Sequence, residues 1–320
     1  MVSVVMATYN GEKYIIEQMD SIRCQTRMPD EVIFCDDCSS DRTVSIIMNY
    51  IEKHELIGWK IERNTENLGY FDNFFKAISM SRGDTVYLSD QDDIWDLRKI
   101  ERFEKYYKKN SNITMIQSNM RFIDGEGKEV RSDYNYHGKT QKSAFVELTP
   151  DDMCKFAGSG YTMSFRRSVI DTIYNYGLQK SKSIFLYHDI LLGLSAVALG
   201  KCYMCTVISD CHRLHDSNVT QTEKGKYISD RTKIKQLEIL SRRVQEFDLI
   251  IKIAEMNTTC FEKYKSFAQE RKDLIEKRKI SRIIRLIKNQ GCYSSRVGLV
   301  TDMMYAMNLE NILLFLYKKL

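Results

Sequence analysis

Two aspartates with one residue between them, Asp90 and Asp92, follow a short apolar segment and precede Trp95. If residues 85–88 form a strand, both carboxylates can point into one cleft at its end. Mg²⁺ and Mn²⁺ prefer oxygen ligands and often bind one or two carboxylates together with substrate phosphates. The spacing therefore indicates a cation site that would hold a diphosphate and stabilise it as a leaving group. A solvated acidic turn is the alternative interpretation.

Three further sites, one of them a pair of neighbouring aspartates, carry groups suited to chemistry. Asp36 and Asp37 end another apolar segment, where a carboxylate can contact a nucleobase or ribose hydroxyl, or cap the next helix. Asp189 stands at an expected helix start, as a general base for an attacking hydroxyl or as an N-cap. His215 follows a predicted strand and is a candidate metal ligand or phosphate contact, although a lone histidine is more often structural.

The elements that must position these residues alternate between strand and helix patterns. Apolar runs at 2–6, 31–35, 59–61 and 85–88 predict strands, and segments with helical spacing follow them. Later runs predict a glycine-rich strand at 158–163 and a helix at 190–199. This alternation predicts an α/β fold with a mostly parallel sheet covered by helices. Ligands of such sheets bind beyond the carboxyl ends of the strands, where both acidic pairs would lie.

The last third of the chain differs from the rest in charge and in its predicted secondary structure. The formal net charge is +5, and Lys and Arg concentrate after Arg231, where the pattern is helical. This predicts one domain at 1–222 and a helical region at 223–320. Residues 281–288 place apolar and cationic side chains on separate faces of a helix, which is typical of a peripheral membrane contact or of packing on another subunit. No leader precedes the first strand, so we expect the 9 cysteines to be reduced in the cytoplasm.

Several motifs in order resemble those of family 2 glycosyltransferases, which have the GT-A fold with a mostly parallel nucleotide-binding sheet. The acidic motif is most similar to a rhamnosyltransferase-like branch of bacterial surface-polysaccharide synthesis. The resemblance covers residues 1–222. Its motifs are Val4-Val5-Met6-Ala7-Thr8-Tyr9-Asn10-Gly11, Asp36-Asp37-x-Ser39-x-Asp41-x-Thr43, Asn67-Leu68-Gly69, Ser89-Asp90-Gln91-Asp92-Asp93-Ile94-Trp95, His188-Asp189 and Arg213-x-His215.

The resemblance implies a role for each matched position. Asp189 would be the catalytic base, and Leu214 replaces a polar residue that relatives often carry beside the last motif. The implied donor-binding residues are Thr8, Tyr9, Asn10, Asp36, Asp37, Asn67, Gly69, Asp90 and Arg213, and the implied ligands of Mg²⁺ or Mn²⁺ are Asp90, Asp92 and His215.

These roles together imply an inverting transfer of a sugar, with rhamnose as the first candidate, from a nucleotide-diphosphate donor to a glycan or lipid-linked glycan. We expect the chain to work in the cytoplasm, with the inner face of the cell membrane as one candidate location, and without a nucleic acid partner. A homo-oligomer that forms through the C-terminal helices is left open. A catalytically silent nucleotide-sugar-binding protein and a nucleotidyltransferase are the alternatives. The absence of G-x-G-x-x-G after the first strand argues against a dinucleotide-dependent oxidoreductase.

Overall fold

The computed structural model describes residues 1–130, 144–155, 159–215, 218, 232–279, 281–295, 297–309 and 312–313. The chain divides into two compact units. The first, the sheet unit, comprises Met1–Thr149 and Gly158–Leu214, and the second, the helical unit, comprises Pro150–Ala157 and His215–Leu320. The boundary predicted near residue 222 lies outside the described residues.

The first half of the sheet is parallel, as the sequence predicts. Its four strands pair in the order β3-β2-β1-β4, and β2 is buried along its whole length because helices cover both faces. The carboxyl ends of β1, β2 and β4 therefore lie at one edge. These strands are β1 (Val2–Thr8), β2 (Glu31–Asp36), β3 (Trp59–Arg63) and β4 (Thr85–Ser89).

The second half of the sheet is mixed. Strand β9 pairs antiparallel with both β4 and β6, whereas β6 and β10 run parallel to each other, and β5, β7 and β8 are short antiparallel additions. The strand predicted at 158–163 is wrong at its start, because Gly160–Thr162 forms a 3-10 turn before β9 begins. The remaining strands are β5 (Ile94–Trp95), β6 (Ile113–Ile123), β7 (Glu129–Val130), β8 (Phe145–Leu148), β9 (Met163–Arg166) and β10 (Lys201–Arg213).

Helices of the sheet unit pack their apolar faces on this sheet. In α1, Ile15, Met19 and Ile22 recur at helical spacing and are all fully buried in the core. The predicted helix at 190–199 begins slightly earlier, with His188 and Asp189 in its first turn. The helices of this unit are α1 (Ile15–Arg23), α2 (Thr43–Lys53), α3 (Tyr70–Met80), α4 (Lys99–Tyr107), α6 (Arg167–Asn175) and α7 (His188–Leu199).

The helical unit has a smaller core of its own, which includes Leu240, Ile275 and Tyr305. An ion pair between Arg271 and the buried Asp302, 2.6 Å apart, joins two of its helices. None of the described helices is both long enough and apolar enough to cross a bilayer. The helices of this unit are α5 (Pro150–Lys155), α8 (Lys233–Ile253), α9 (Thr258–Lys277), α10 (Arg282–Lys288) and α11 (Gly298–Ala306).

Candidate active site

The acidic loop after β4 brings three carboxylates together. One oxygen each of Asp90, Asp92 and Asp93 lies within 4.8 Å of the others. Asp93 is fully buried, and its Oδ1 accepts the backbone N–H of Arg213 at 3.1 Å, while its Oδ2 has no hydrogen-bond partner in the described part of the chain. A buried carboxylate oxygen without a partner is costly unless something binds it. This donor set of hard oxygens fits Mg²⁺ or Mn²⁺.

The cluster perturbs the protonation of its members. Burial in the cleft raises the pKa of Asp90 well above its usual range, and the neighbouring charges of Asp93 and Asp92 raise it further. His212 lies beside Asp93, with Nδ1 2.8 Å from Oδ1. Burial by itself lowers the pKa of His212, but the three aspartates outweigh it and raise the pKa to about 9. An imidazolium thus offsets part of the negative charge. The sequence pattern singled out His215 instead of this residue.

Arg213 holds the backbone of the acidic loop in place. Its buried guanidinium donates to the carbonyl oxygen of Asp92 at 2.9 Å and to Glu17 at 2.6 Å, and lies over the ring of Tyr14. In this arrangement the guanidinium holds the backbone that carries Asp92. Its implied contact with the donor stays a prediction.

A second buried cation supports the same loop and was missed by the sequence reasoning. Lys99 donates to Asp210 at 2.6 Å and to the carbonyl of Tyr161 at 3.2 Å, and it lies 3.9 Å from the ring centre of Trp95. Both partners of the ion pair are completely buried. The sequence did hold one indication that Lys99 is buried. Lys99 precedes Phe103 by four residues and so lies on the apolar face of α4.

On the nucleotide side, Thr8 and Asp36 end adjacent parallel strands. The Thr8 hydroxyl donates to Asp36 Oδ1 at 3.0 Å, and the backbone N–H of Ser39 donates to Oδ2 at 2.9 Å. Asn10 has a positive φ of 49° and accepts the backbone N–H of Ser40 at 2.8 Å. Asp36 therefore shapes the turn after β2, and its predicted contact with the base or ribose remains a prediction.

Asp37 anchors the next loop of the predicted donor site. Its carboxylate accepts the backbone N–H of Leu68 at 2.7 Å and that of Gly69 at 2.8 Å. Asn67 donates to the backbone carbonyl of Asp37 at 3.2 Å. Gly69 has φ 80°, which is readily available only to glycine. The motif residues thus hold one another in a fixed loop, and their donor contacts stay predictions.

Gln91 joins the first strand end to the acidic loop. Its Oε1 accepts the N–H of Tyr9 at 2.9 Å and its Nε2 donates to the Tyr9 carbonyl, also at 2.9 Å. The ring of Tyr9 is left exposed. A β-carbon on Gly11 would lie only 2.3 Å from Gln91 Oε1, so a larger residue there would displace the Gln91 side chain. The loop expected to line a nucleotide is therefore fixed to the expected metal loop.

Asp189 lies close to the acidic loop although the two are about a hundred residues apart in sequence. Its Oδ1 accepts the N–H of Ile190 at 2.8 Å, and its Oδ2 accepts the N–H of Gly160 at 3.2 Å. A β-carbon on Gly160 would lie 3.3 Å from Asp189 Cβ and 3.6 Å from Leu88, two residues before Asp90. The charge of Asp189 also raises the pKa of Asp90. Asp189 therefore lies near enough to the acidic loop to influence Asp90, and its role as the catalytic base stays a prediction.

His215 is the remaining predicted site residue. It begins the second segment of the helical unit, and its backbone N–H donates to Asn218 Oδ1 at 2.5 Å. Its role as a metal ligand stays a prediction.

Comparison with known proteins places this geometry in a family. The family model for glycosyl transferase family 2 matches residues 3–173. An uncharacterized glycosyltransferase of Methanocaldococcus jannaschii is 36% identical over 150 residues, which is 46% of this chain and 49% of that protein. A poly(ribitol-phosphate) beta-N-acetylglucosaminyltransferase of Staphylococcus aureus, TarS, is 26% identical over 215 residues, 65% of this chain and 34% of TarS. The chain thus spans about a third to a half of the length of these relatives.

Solved structures agree on the fold. The structure of residues 1–349 of Staphylococcus aureus TarS with UDP-GlcNAc has a TM-score of 0.60 at 17% identity, over 95% of this chain and 81% of that one. A mannosyltransferase of Pyrobaculum calidifontis with GDP-Man and Mn²⁺ has a TM-score of 0.53 at 15% identity, over 99% of this chain and 82% of that one. These matches confirm the predicted GT-A fold.

Proposed function

The chain belongs to glycosyl transferase family 2, and we propose that it transfers a sugar, with inversion, from a nucleoside-diphosphate donor to a hydroxyl of a glycan or lipid-linked acceptor. The observation that carries this proposal is the approach of Asp189 to the cluster of Asp90, Asp92 and Asp93, beside Gly160 at the carboxyl edge of the sheet. One group of carboxylates can bind the leaving diphosphate through a cation while the separate carboxylate faces the acceptor.

In the proposed reaction, the acceptor hydroxyl gives its proton to Asp189 as its oxygen bonds to the anomeric carbon. The bond from that carbon to the diphosphate oxygen breaks on the opposite face, so the configuration inverts. Asp90, Asp92 and Asp93 would hold Mg²⁺ or Mn²⁺, which supplies charge neutralisation for the departing diphosphate. The hydrogen bond from Gly160 keeps the Asp189 carboxylate oriented.

The identity of the sugar is a finer proposal. Rhamnose from a thymidine-diphosphate donor is the sugar that the sequence resemblance implies. The structural relatives were solved with UDP-GlcNAc and with GDP-Man. Hydrogen bonds within the protein already fix Tyr9 and the loop at Asn67 and Gly69, so the proposed donor site is largely preorganised.

A thermal-shift panel tests donor binding. The purified full chain is heated with dTDP-rhamnose, UDP-GlcNAc, UDP-glucose, UDP-galactose and GDP-mannose, each with Mn²⁺, with Mg²⁺ or with EDTA. One nucleotide should raise the melting temperature, and only with metal, because a ligand bound to the folded state stabilises it. Metal-dependent release of the nucleoside diphosphate then tests turnover.

Two aspartate variants, one at the predicted metal site and one away from it, serve as the test and the control for this panel. Asp92→Asn should lose the metal-dependent shift, whereas Asp171→Asn, at an exposed position on α6, should keep it. Donor binding without release of the diphosphate would favour a catalytically silent binding protein. A shift that EDTA does not change would contradict the metal role.

We also propose that α10 contacts a membrane surface. Its side chains do not divide as the sequence predicts: Ile284 and Ile287 are exposed, at 65% and 49%, alongside Lys288. Arg282 and Arg285 lie near Glu270 in ion pairs, so their charges are partly compensated within the unit. An exposed mixture of isoleucine and lysine fits the interface of an anionic bilayer.

Vesicle flotation tests this contact. Wild-type protein should float with vesicles that contain phosphatidylglycerol, and the variant Ile284→Ser/Ile287→Ser/Lys288→Ser should not. The matched control is Ile234→Ser, which removes an exposed isoleucine from α8 of the same unit. Equal flotation of wild type and the triple variant would reject the membrane contact and leave the proposed transfer untouched.

A further inference from the structure

Strand β3 forms one edge of the sheet in the described part of the chain. It pairs with β2 alone, in parallel, over Trp59–Arg63. The N–H of Val32 donates to the carbonyl of Gly58 at 3.0 Å, and the N–H of Asn64 donates to the carbonyl of Asp36 at 2.8 Å. Because successive residues of a strand turn their main-chain groups to alternate sides, residues 58, 60, 62 and 64 face β2, and residues 59, 61 and 63 face away from it.

The outward main-chain groups are open to a further strand. No other described residue bonds to the N–H or C=O of Ile61 or to the N–H of Arg63. The N–H of Trp59 is used in a turn with Leu56, whereas the Trp59 carbonyl has no partner in the described chain. Such a row of donors and acceptors at a sheet edge is a template for pairing with another chain.

The charges on β3 select the strand that can pair with it. Lys60 and Glu62 are both exposed and lie on the same face of the strand, two residues apart. Glu62 remains 49% exposed although Lys76 of α3 lies 3.5 Å away, so it can accept a second cation. Two copies of β3 related by a two-fold axis run antiparallel. With Ile61 on that axis, Lys60 of each copy lies opposite Glu62 of the other.

This register also matches the main-chain groups. An axis at Ile61 makes the two Ile61 residues a hydrogen-bonded pair, which exchanges both N–H···O bonds. It also lets the N–H of each Arg63 donate to the Trp59 carbonyl of the other copy. An axis at Lys60 or at Glu62 would instead place two like charges directly opposite each other, which is destabilising.

Exposed apolar side chains flank this edge. Ile57, two residues before β3, is completely exposed, and Met48 of α2 is 55% exposed. On α2, Ile46, Asn49 and Lys53 line a groove against α1. Met48 lies on the other side of that helix, which packs on β3. A strand added at β3 would therefore bring its own domain next to apolar surface as well as to main-chain groups.

We propose that β3 pairs with β3 of a second copy of this chain, so that two sheets join into one across a two-fold axis at Ile61. The main-chain bonds would be two between the Ile61 residues and two from Arg63 to Trp59. Two ion pairs between Lys60 and Glu62 would fix the register. This interface lies in the sheet unit, apart from the C-terminal helices, and it does not depend on the proposed function.

Sedimentation velocity of the full chain over a concentration series tests the proposal. Wild-type protein should form a species of twice the mass of the chain. Lys60→Glu and Glu62→Lys should each weaken the dimer about tenfold, because two attractive cross-strand pairs become repulsive. The double variant Lys60→Glu/Glu62→Lys should dimerise like wild type, and a mixture of the two single variants should form a heterodimer. Lys53→Glu, at an exposed position on α2, is the matched control.

Ile61→Pro tests the main-chain pairing directly. Proline removes the outward N–H but none of the bonds to β2, so the variant should stay monomeric, whereas Ile61→Val keeps the N–H and should dimerise. The charge variants decide the question if Ile61→Pro does not fold. A wild-type chain that is monomeric at every concentration would overturn the proposal. A dimer that neither charge reversal weakens, or that the double variant and the mixture do not restore, would overturn it as well.

Discussion

Lys99 and Asp210 form an ion pair of 2.6 Å in which both side chains are completely inaccessible to solvent. Burial lowers the pKa of Lys99 and raises that of Asp210, and their mutual attraction opposes both shifts. Ser118 donates a further hydrogen bond to Asp210. The pair joins the start of α4 to β10. Because β10 also pairs with β5, which follows the acidic loop, the ion pair helps to fix the position of the predicted metal site.

Removing one partner should leave an uncompensated buried charge. We expect Lys99→Met to lower the free energy of unfolding by about 3–5 kcal/mol in urea denaturation. The double variant Lys99→Met/Asp210→Asn should be more stable than Lys99→Met alone, because the remaining group is then neutral and can still accept from Ser118. Lys105→Met, which removes an exposed ion pair with Glu101 on the same helix, should change stability far less. Equal stability of the single and double variants would contradict a buried charge pair.

Metal binding should be coupled to proton release at Asp90. Because the pKa of its carboxyl is raised in the metal-free protein, the folded state holds a proton that the unfolded chain would lose. The folded metal-free protein should therefore lose stability as pH rises above the ordinary aspartate range, and Mn²⁺ affinity should increase over the same range. Calorimetric titrations with Mn²⁺ in buffers of different ionisation enthalpy would measure the protons released. Asp90→Asn should release fewer, and an affinity that does not depend on pH would contradict the coupling.

The candidate catalytic and metal-binding residues could be selected from the sequence because each stands at the end of a strand or the start of a helix. Asp36 and Asp90 could be placed at one edge of the sheet from the alternation of strands and helices alone, whereas the role of Asp189 was implied only by the family resemblance. The turn at Gly160 was not predictable, since a local pattern favours a strand and the contact with Asp189 overrides it.

The supporting residues were harder to predict, because their partners are distant in the sequence. Arg213 contacts Glu17 across 196 positions, and Lys99 contacts Asp210 across 111. The sequence around a charged residue does not reveal whether such a distant contact buries it or whether it lies on the surface. Sequence reasoning therefore placed Arg213 among the donor-binding residues and did not single out Lys99.

Asp189→Asn should abolish transfer while donor binding is retained. Asparagine keeps the size of the side chain and an oxygen that can accept from Gly160, but it cannot take a proton from the acceptor. Initial rates of nucleoside-diphosphate release in the presence of acceptor, together with calorimetric donor affinity, separate the two effects. Transfer at near wild-type rate by the purified variant would refute the assignment of the base.

Gly160→Ala should slow the proposed reaction although it leaves Asp189 and the acidic cluster chemically unchanged. The added methyl carbon would lie 3.0 Å from His188 Nε2 and 3.3 Å from Asp189 Cβ. Because His188 is held against Phe74, the contact should be relieved by displacing Asp189 from the acidic loop. A misplacement of about 1 Å can lower a rate by about 100-fold, so we expect kcat to fall by about 10- to 100-fold with donor affinity near wild type. Gly291→Ala is the matched control, since its added carbon would meet nothing within 4 Å. An unchanged kcat in Gly160→Ala would contradict the prediction that the close contact at Gly160 sets the position of Asp189 relative to the cluster.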